Sequence, residues 1–381
     1  MIKNKKSFIK MLITIVATAL VTTFVLTSVG FVGIIPHNQY KRYKKLISLN
    51  KEIDKKFYKK PDEAKLEEGM IKGMFQGTED VYSSYYTKDE MKQLLEMSSG
   101  KYVGIGIMVS PDKESGAIKI ENVFDGGTAK EAGVKKGDYI IKVNDKAYTY
   151  QEMDIAVKNI KGDEGTSVVI TFVRDGKPYV KELKRKEITI KSVESKMMDN
   201  KIGYIKIKGF EEDTEKDFRS SIDRLEKDNM KALVIDLRDN GGGLLNIVEG
   251  IADMILGKSV IVYTQDREGN KDYSRSTDKE KISVPIVVLT NENSASASEI
   301  LTGAILDNDA GISIGRRTYG KGLVQSVIQL SDKSGYKLTT AQYFTPDGHY
   351  INKKGIKPTI EVKEDGKQLP KAIEYLQKKI K

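Results

Sequence analysis

The sequence predicts a multidomain α/β protein: a core of mixed sheet with flanking helices, an α+β module inserted before it, and an N-terminal transmembrane helix. Three observations predict this. Met11 to Ile35 reads MLITIVATALVTTFVLTSVGFVGII, without a charge, and a bilayer core takes about 20 such residues as one helix. Between about Gly100 and Arg185, short strand patterns alternate with small-residue turns. From Ile188 onward strand and helix patterns alternate, the order that builds a partly parallel sheet.

The composition narrows the chemistry. With 381 residues and 39% hydrophobic content the chain can bury two or three ordinary cores. The absence of cysteine excludes thiol catalysis, disulfides and cysteine-ligated metals. His37 and His349 are the two histidines, so a multi-histidine zinc site cannot be built and a Ser-His-Asp triad could draw only on His349. No metal and no cofactor is expected. The net charge of +10 is spread among 54 acidic residues, a pattern that fits an anionic membrane surface or cell wall better than nucleic acid.

In chain order, Lys3, Lys5, Lys6 and Lys10 precede the apolar run. A basic flank before such a run fits a signal peptide or an anchor. This run exceeds a usual signal h-region and no A-x-A-like site closes it, which favours an uncleaved anchor over residues 1–36. The lysine-rich end then stays cytoplasmic and everything after about Pro36 is exported, giving a single-pass membrane protein with its working part outside. Residues 37–98 are charged and helical by period, with Leu46, Ile53 and Phe57 and then Leu66, Met70, Ile71 and Met74 on apolar stripes. These helices lack a large core, so they should pack on another part or on a second copy.

Residues 99–187 form the compact module. Tyr102 to Val109 reads as one glycine-interrupted strand, followed by IKIENVF, by GGTAKEAGVKKGDYIIKVND, by a polar helix around Tyr150 to Ile160 and by TSVVITFVRDG. Residues 188–381 carry the α/β pattern: strands IGYIKIKGF, ALVIDL and VPIVVL, helices at Glu212 to Lys227, near Ile247 to Leu256 and after Ser298. A terminal helix places Leu369, Ile373, Leu376 and Ile380 on one stripe, which could pair protomers.

In such a sheet the strand ends carry the chemistry. Two stand out: Asp236 to Gly243 (DLRDNGGG) after ALVI, and Asn293 to Ile300 (NSASASEI) after VPIVVL. Ser296 followed by Glu299 fits the S-x-x-E capping box at a helix start, and it also places a serine where a nucleophile could stand. With histidine scarce, a base for that serine would be a lysine, whose pKa falls on burial. Lys321, in Gly320-Lys321-Gly322 between the strand patterns GISIG and LVQSVIQL, is the candidate, because flanking glycines permit the tight turn that encloses it. Gly315 to Lys321 also fits the phosphate-loop pattern G-x-x-x-x-G-K. Gly322 occupies the position that needs Ser or Thr, and a strand pattern follows where a helix is required.

The module resembles a PDZ domain: Gly104-Ile105-Gly106-Ile107 matches its carboxylate-binding loop and GTAKEAGVKKGDYIIKVND its most recognisable stretch, with Gly127-Thr128 in place of the usual Ser-Pro. The resemblance implies that backbone N–H groups of the loop, Val103 to Ile107, capture a chain-terminal carboxylate while a strand edge pairs with the peptide. DLRDNGGG, SASASE, GRRTYGKGLVQ and YFTPDGHYINKKGIKP, in that order behind it, resemble the C-terminal processing (tail-specific) serine proteases, from roughly Ala64 to the C-terminus. That resemblance implies Ser296 as nucleophile, Lys321 as general base, Gln325 as support for the lysine, and an oxyanion hole from the N–H groups of Ala297 and Gly242. It also implies protein or peptide substrates with apolar C-termini. Two positions depart from the family: Asp80-Val81-Tyr82-Ser83 lacks the proline of D-P-Y-S, and Thr359 replaces the Asp of G-I-x-P-D. Neither departure is expected to touch the chemistry. The competing reading is a membrane-tethered PDZ scaffold with a catalytically silent α/β domain, against which stand the serine, the lysine and the glutamine together.

Overall fold

The computed structural model describes residues 2–28, 37–277 and 281–380. They form two compact units, Met1–Ile71 and Lys72–Lys381. The first contains helix α1 (Ile2–Ser28) and helix α2 (His37–Lys56), and a third helix, α3, runs from Glu63 to Gln76. Within α1, Ser7–Val25 has a mean hydropathy of 2.1 and no buried residue, so its length and composition suit a membrane span. Residues 29–35 of the apolar run lie outside the described residues. Leu46 and Ile53 of α2 and Phe57 just after it are exposed.

The second unit opens with a short strand β1 (Ser84–Tyr86) and helix α4 (Lys88–Ser99). Thr87 and Glu90 form a reciprocal capping box at the start of α4, and Gly100 ends the helix in the left-handed conformation at φ 69°. The module follows: β2 (Lys101–Gly104), β3 (Ile107–Pro111), β4 (Ile118–Val123), α5 (Thr128–Glu131), β5 (Tyr139–Val143), β6 (Lys146–Ala147), α6 (Met153–Ile160), β7 (Ser167–Arg174), β8 (Lys177–Lys184) and β9 (Lys186–Thr189). Strands β3-β4-β5-β7-β8 make one antiparallel sheet, with β6 on β5. Ile118, Ile120, Ile140, Ile170 and Phe172 alternate inward from it into a single core.

Tyr102 to Val109 is not one strand, as the sequence suggested. The chain breaks at Gly106, where φ is +82°, and β2 pairs with β9 while β3 pairs with β4. A Cβ on Gly106 would stand 2.6 Å from the Gly127 Cα. Gly127, where the family carries serine, lets the two loops close on each other.

The α/β core begins with β10 (Val193–Met198), β11 (Ile202–Ile207), α7 (Thr214–Lys227), β12 (Ala232–Asp236), α8 (Leu245–Ile255), β13 (Val260–Gln265), β14 (Lys271–Arg275) and β15 (Ile286–Thr290). It continues through α9 (Ala297–Asp307), β16 (Gly311–Gly315), β17 (Leu323–Gln329), β18 (Gly335–Phe344), β19 (Ile360–Glu361) and α10 (Asp365–Gln377). The main sheet has the order β10-β11-β12-β15-β16-β19 and is parallel from β11 to β19. Every residue of β12 and β15 is buried, as expected of interior parallel strands covered on both faces. Leu233, Ile235 and Val288 face α7, α8 and α9, while Val234, Val287 and Leu289 face α10. The apolar stripe of the terminal helix is therefore already occupied: Ala372 and Leu376 are buried on the sheet, with Leu369, Ile373 and Ile380 packed beside them. It does not offer the pairing surface expected of it. A second, antiparallel sheet, β1-β18-β13-β14 with β17 on β18, stands beside the first.

Gly106→Val tests the break at Gly106. It forces a branched side chain into a left-handed backbone and into the Gly127 Cα, and should destabilise the module by about 3 kcal/mol. Calorimetry should show the loss; a variant with wild-type melting would contradict the described contact.

Candidate active site

The ends of β12 and β15 are stitched together by side chains. Asp239, itself at φ +64°, accepts hydrogen bonds at Oδ1 from Asn291 Nδ2 and Asn293 Nδ2, both at 2.8 Å. Ser294 Oγ donates to the Leu237 carbonyl at 2.8 Å. Buried Asn240 completes the join: its carbonyl accepts from Ala295 N–H at 3.0 Å and from Ser298 Oγ at 2.9 Å. Upstream, buried Asp236 holds Arg238 and the Tyr204 hydroxyl. Gly242 is then pressed against the serine turn, where a Cβ would lie 2.8 Å from Ser296 Cβ and 3.0 Å from Ala297 N.

Ser296 sits at φ 57°, ψ −114°, immediately before α9. A non-glycine residue in that region stores about 1–3 kcal/mol of strain, released unless its surroundings hold it. The capping box is present but unequal, because the Glu299 N–H that faces the Ser296 side chain is given to the Ser296 carbonyl at 2.8 Å. Glu299 Oε2 accepts the Ser296 N–H at 2.9 Å, but the Ser296 hydroxyl makes no capping bond to the helix. Its Oγ is left uncommitted beside the first free amide of α9, since Ala297 N–H has no hydrogen-bond partner among the described residues.

The Glu299 carboxylate does more than cap. It is fully buried and accepts four bonds: Oε1 from Thr318 Oγ1 at 2.6 Å and Gly320 N–H at 2.8 Å, Oε2 from Ser296 N–H and Lys321 N–H, each at 2.9 Å. The serine turn and the lysine loop thus meet at one anion. Tyr343, buried on β18, adds a second tie: its hydroxyl donates to the Lys321 carbonyl and stands 3.1 Å from the Ser296 carbonyl. Behind the lysine, Gly320 and Gly322 pack on the segment from Ile351 to Gly355, where a Cβ at either would meet a backbone nitrogen at 2.8 or 2.7 Å.

Lys321 is half-buried, and loss of hydration there lowers its pKa below the ordinary 10.5, helped by the positive charge of Lys337 and opposed by Glu299 and Asp80. Its ammonium lies 4.8 Å from the centre of the Tyr82 ring and has no hydrogen-bond partner among the described residues. The Asp80-Val81-Tyr82-Ser83 turn therefore does touch the site, contrary to the reading from sequence. Asp80 accepts from Tyr82 N–H at 3.3 Å and from Ser83 Oγ at 2.5 Å, and Ser83 Oγ accepts from Thr339 N–H of β18 at 3.0 Å. Thr359, the other departure, exchanges bonds with Ser313 on β16 well behind the chemistry.

Not every expected residue arrives. Gln325 donates to the Leu323 carbonyl at 3.2 Å and to Thr339 Oγ1 at 3.3 Å, with a bulge beside it in the β17–β18 ladder, and makes no bond to Lys321. The Gly242 N–H is taken by Asn240 Oδ1 at 2.8 Å. Ser296 Oγ and Lys321 Nζ make no hydrogen bond to each other; it is their backbone amides that meet, at Glu299 Oε2. His349 lies beside Asp307 at the far end of α9, 3.7 Å from its carboxylate, about 16 Å from the serine along the eleven-residue helix. The phosphate-loop pattern fails as its last position implied: Lys321 leads into β17, not a helix. In the module, Ile105 is buried in the core and its carbonyl accepts from Ala129 N–H at 2.9 Å; Val103 lies in the β2–β9 ladder. Gly104 closes that ladder opposite Lys186 and Ile107 opens β3 opposite Val123, so of the five Gly106 alone stands between the strands with no side chain in the core.

The α/β core matches peptidase family S41 over residues 201–362, and residues 92–173 match the PDZ domain. Over 362 residues the chain is 35% identical to the carboxy-terminal processing protease CtpA of Bacillus subtilis (strain 168), a match that covers 94% of this chain and 77% of that protein. Its fold is similar to that of the photosystem II D1 C-terminal processing protease, with a TM-score of 0.51 and 27% identity over 82% of this chain and 85% of that one. Fold and site together define a serine-type peptidase that carries a PDZ domain. The chain belongs to the CtpA-like C-terminal processing proteases of peptidase family S41.

Glu299→Gln tests the joint. The substitution keeps the shape but turns an NH2 group toward two N–H or O–H donors, and should cost about 3 kcal/mol of stability together with at least a tenfold loss of activity. Full activity and unchanged melting would show that the carboxylate does not hold the site.

Proposed function

We propose that this protein is a membrane-anchored, extracytoplasmic serine endopeptidase that works with a Ser296–Lys321 dyad and recognises substrates by apolar C-terminal tails at its PDZ domain. The observation that carries the dyad is the shared Glu299 anchor, which holds a strained serine and a partly dehydrated lysine by their own backbone amides. Neutral Lys321 takes the proton from Ser296 Oγ as that oxygen attacks the peptide carbonyl carbon. The C–N bond then breaks as the lysinium gives its proton to the departing amine, and water, deprotonated by the same lysine, releases the acyl group as a carboxylate.

The tetrahedral oxyanion is met by the Ala297 N–H at the positive end of α9. The Gly242 N–H joins it if the Asn240 carboxamide turns away. Gln325 supports the lysine through Oε1, the acceptor left over while its Nε2 donates to Leu323 and Thr339. The anchor is α1, through Ser7–Val25, with the basic flank holding the short end inside.

Ser296→Ala should lower proteolysis at least ~1000-fold while leaving thermal stability within about 1 kcal/mol, since no cap bond is lost. Lys321→Ala should be as inactive, and Lys321→Arg should not rescue it, because a guanidinium keeps its proton. An active arginine variant would place the base elsewhere.

The proposal also fixes a pH dependence. The base works unprotonated, so the rate should rise with pH through an apparent pKa below 10.5. Removing the Lys337 charge as Lys337→Gln raises the Lys321 pKa and should move that rising limb to higher pH. A limb that stays in place, or moves down, would contradict Lys321 as the titrating base.

A further inference from the structure

One buried polar atom in the module has no partner. The Tyr102 hydroxyl is enclosed and makes no hydrogen bond, alone among the buried side-chain polar atoms of the described residues. Its ring lines a narrow cavity of about 60 Å³ between β3 and α6, together with Ile107, Val109, Val157, Ile160 and Lys161. The ring can lie there because residue 104 is glycine: a Cβ on Gly104 would stand 2.9 Å from Tyr102 Cε2.

Beside the phenol at this end of the groove stand two donors, one of them already paired with a carboxylate. The Ile107 N–H faces the phenolic oxygen without completing a hydrogen bond. The Lys161 ammonium lies 5.2 Å from the centre of the Tyr102 ring and is held 2.7 Å from Glu96 of α4. Buried hydroxyls are nearly always paired, so an unpaired O–H beside a groove marks a place where an acceptor is missing. Burial pushes the Tyr102 phenol up to about 12, so it remains a protonated donor at neutral pH.

We propose that the Tyr102 O–H donates a hydrogen bond to the α-carboxylate of a protein C-terminus seated between β3 and α6, which makes Tyr102 a specificity-determining residue of the groove. The proposal rests on the tail-recognition reading above and adds a side-chain donor to it. Ile107, Val109, Val157 and Ile160 take the apolar side chain of the last residue, and Lys161, held by Glu96, closes the rim over the Tyr102 ring. Tyr102 then finds in the complex the partner it lacks in the free protein.

The test uses the full chain in detergent micelles, carrying Ser296→Ala so that ligands are not cut. The probe is a fluorescein-labelled nonapeptide ending in valine, with a free or an amidated C-terminus, and binding is read by anisotropy. The free acid should bind more tightly than the amide. Tyr102→Phe should weaken the free acid on the order of 10- to 100-fold, the range of a lost bond to a charged group, and leave the amide unchanged. The same substitution should raise the melting temperature of the ligand-free protein, because it deletes an unpaired buried hydroxyl. If Tyr102→Phe keeps the whole preference for the free acid, the assignment of Tyr102 falls while tail recognition stands. If the parent protein does not distinguish the two peptides, tail recognition falls and takes this proposal with it.

Discussion

The buried carboxylate of Glu299 is the constraint on which the site depends. It belongs to the first turn of α9, yet half of its hydrogen bonds come from the lysine loop more than twenty residues further on, and a third donor is the Thr318 hydroxyl. Desolvating a carboxylate costs several kcal/mol unless its oxygens are satisfied, and here four donors satisfy them. Moving either the serine turn or the lysine loop away would strand the charge. The two elements are therefore held in one arrangement, and the strained backbone at Ser296 persists because Glu299 and Tyr343 over-determine it.

The rest of the core serves that joint. Parallel strands β12 and β15 end at the same level, so Asp239 and Asn240 can bond the residues leading into Ser296. The crowding of Gly242 against Ser296 leaves space for no side chain at that position. On the other side, β1 pairs with β18 and sets the Asp80 to Ser83 turn so that Tyr82 covers Lys321. The segment ahead of the PDZ domain thus completes the lysine's enclosure, and the enclosure shifts the lysine toward its neutral form.

Much of this was legible in the sequence, and the parts that were not share a cause. The parallel strands announced themselves as short apolar runs, and the serine and lysine stood out because they lie where strand patterns stop. Glu299 was visible only as a cap, since its bonds to Gly320 and Lys321 span more than twenty residues and leave no local pattern. Tyr82 was discounted for the same reason, being brought to Lys321 by pairing between β1 and β18. The break at Gly106 escaped a period-of-two reading because both flanking segments keep the alternation while joining different sheets. The stripe on α10 was correctly apolar, but periodicity does not say what covers it, and here the main sheet does.

The most direct measurement of the central claim is the rate at which a fluorophosphonate modifies the protein, followed from neutral to alkaline pH, with the modified residue located by peptide mass mapping. The account predicts a single adduct on Ser296, formed faster as pH rises through an apparent pKa below 10.5 and not formed in Lys321→Ala. An adduct on another residue, or equal labelling of Ser296 without Lys321, would contradict it.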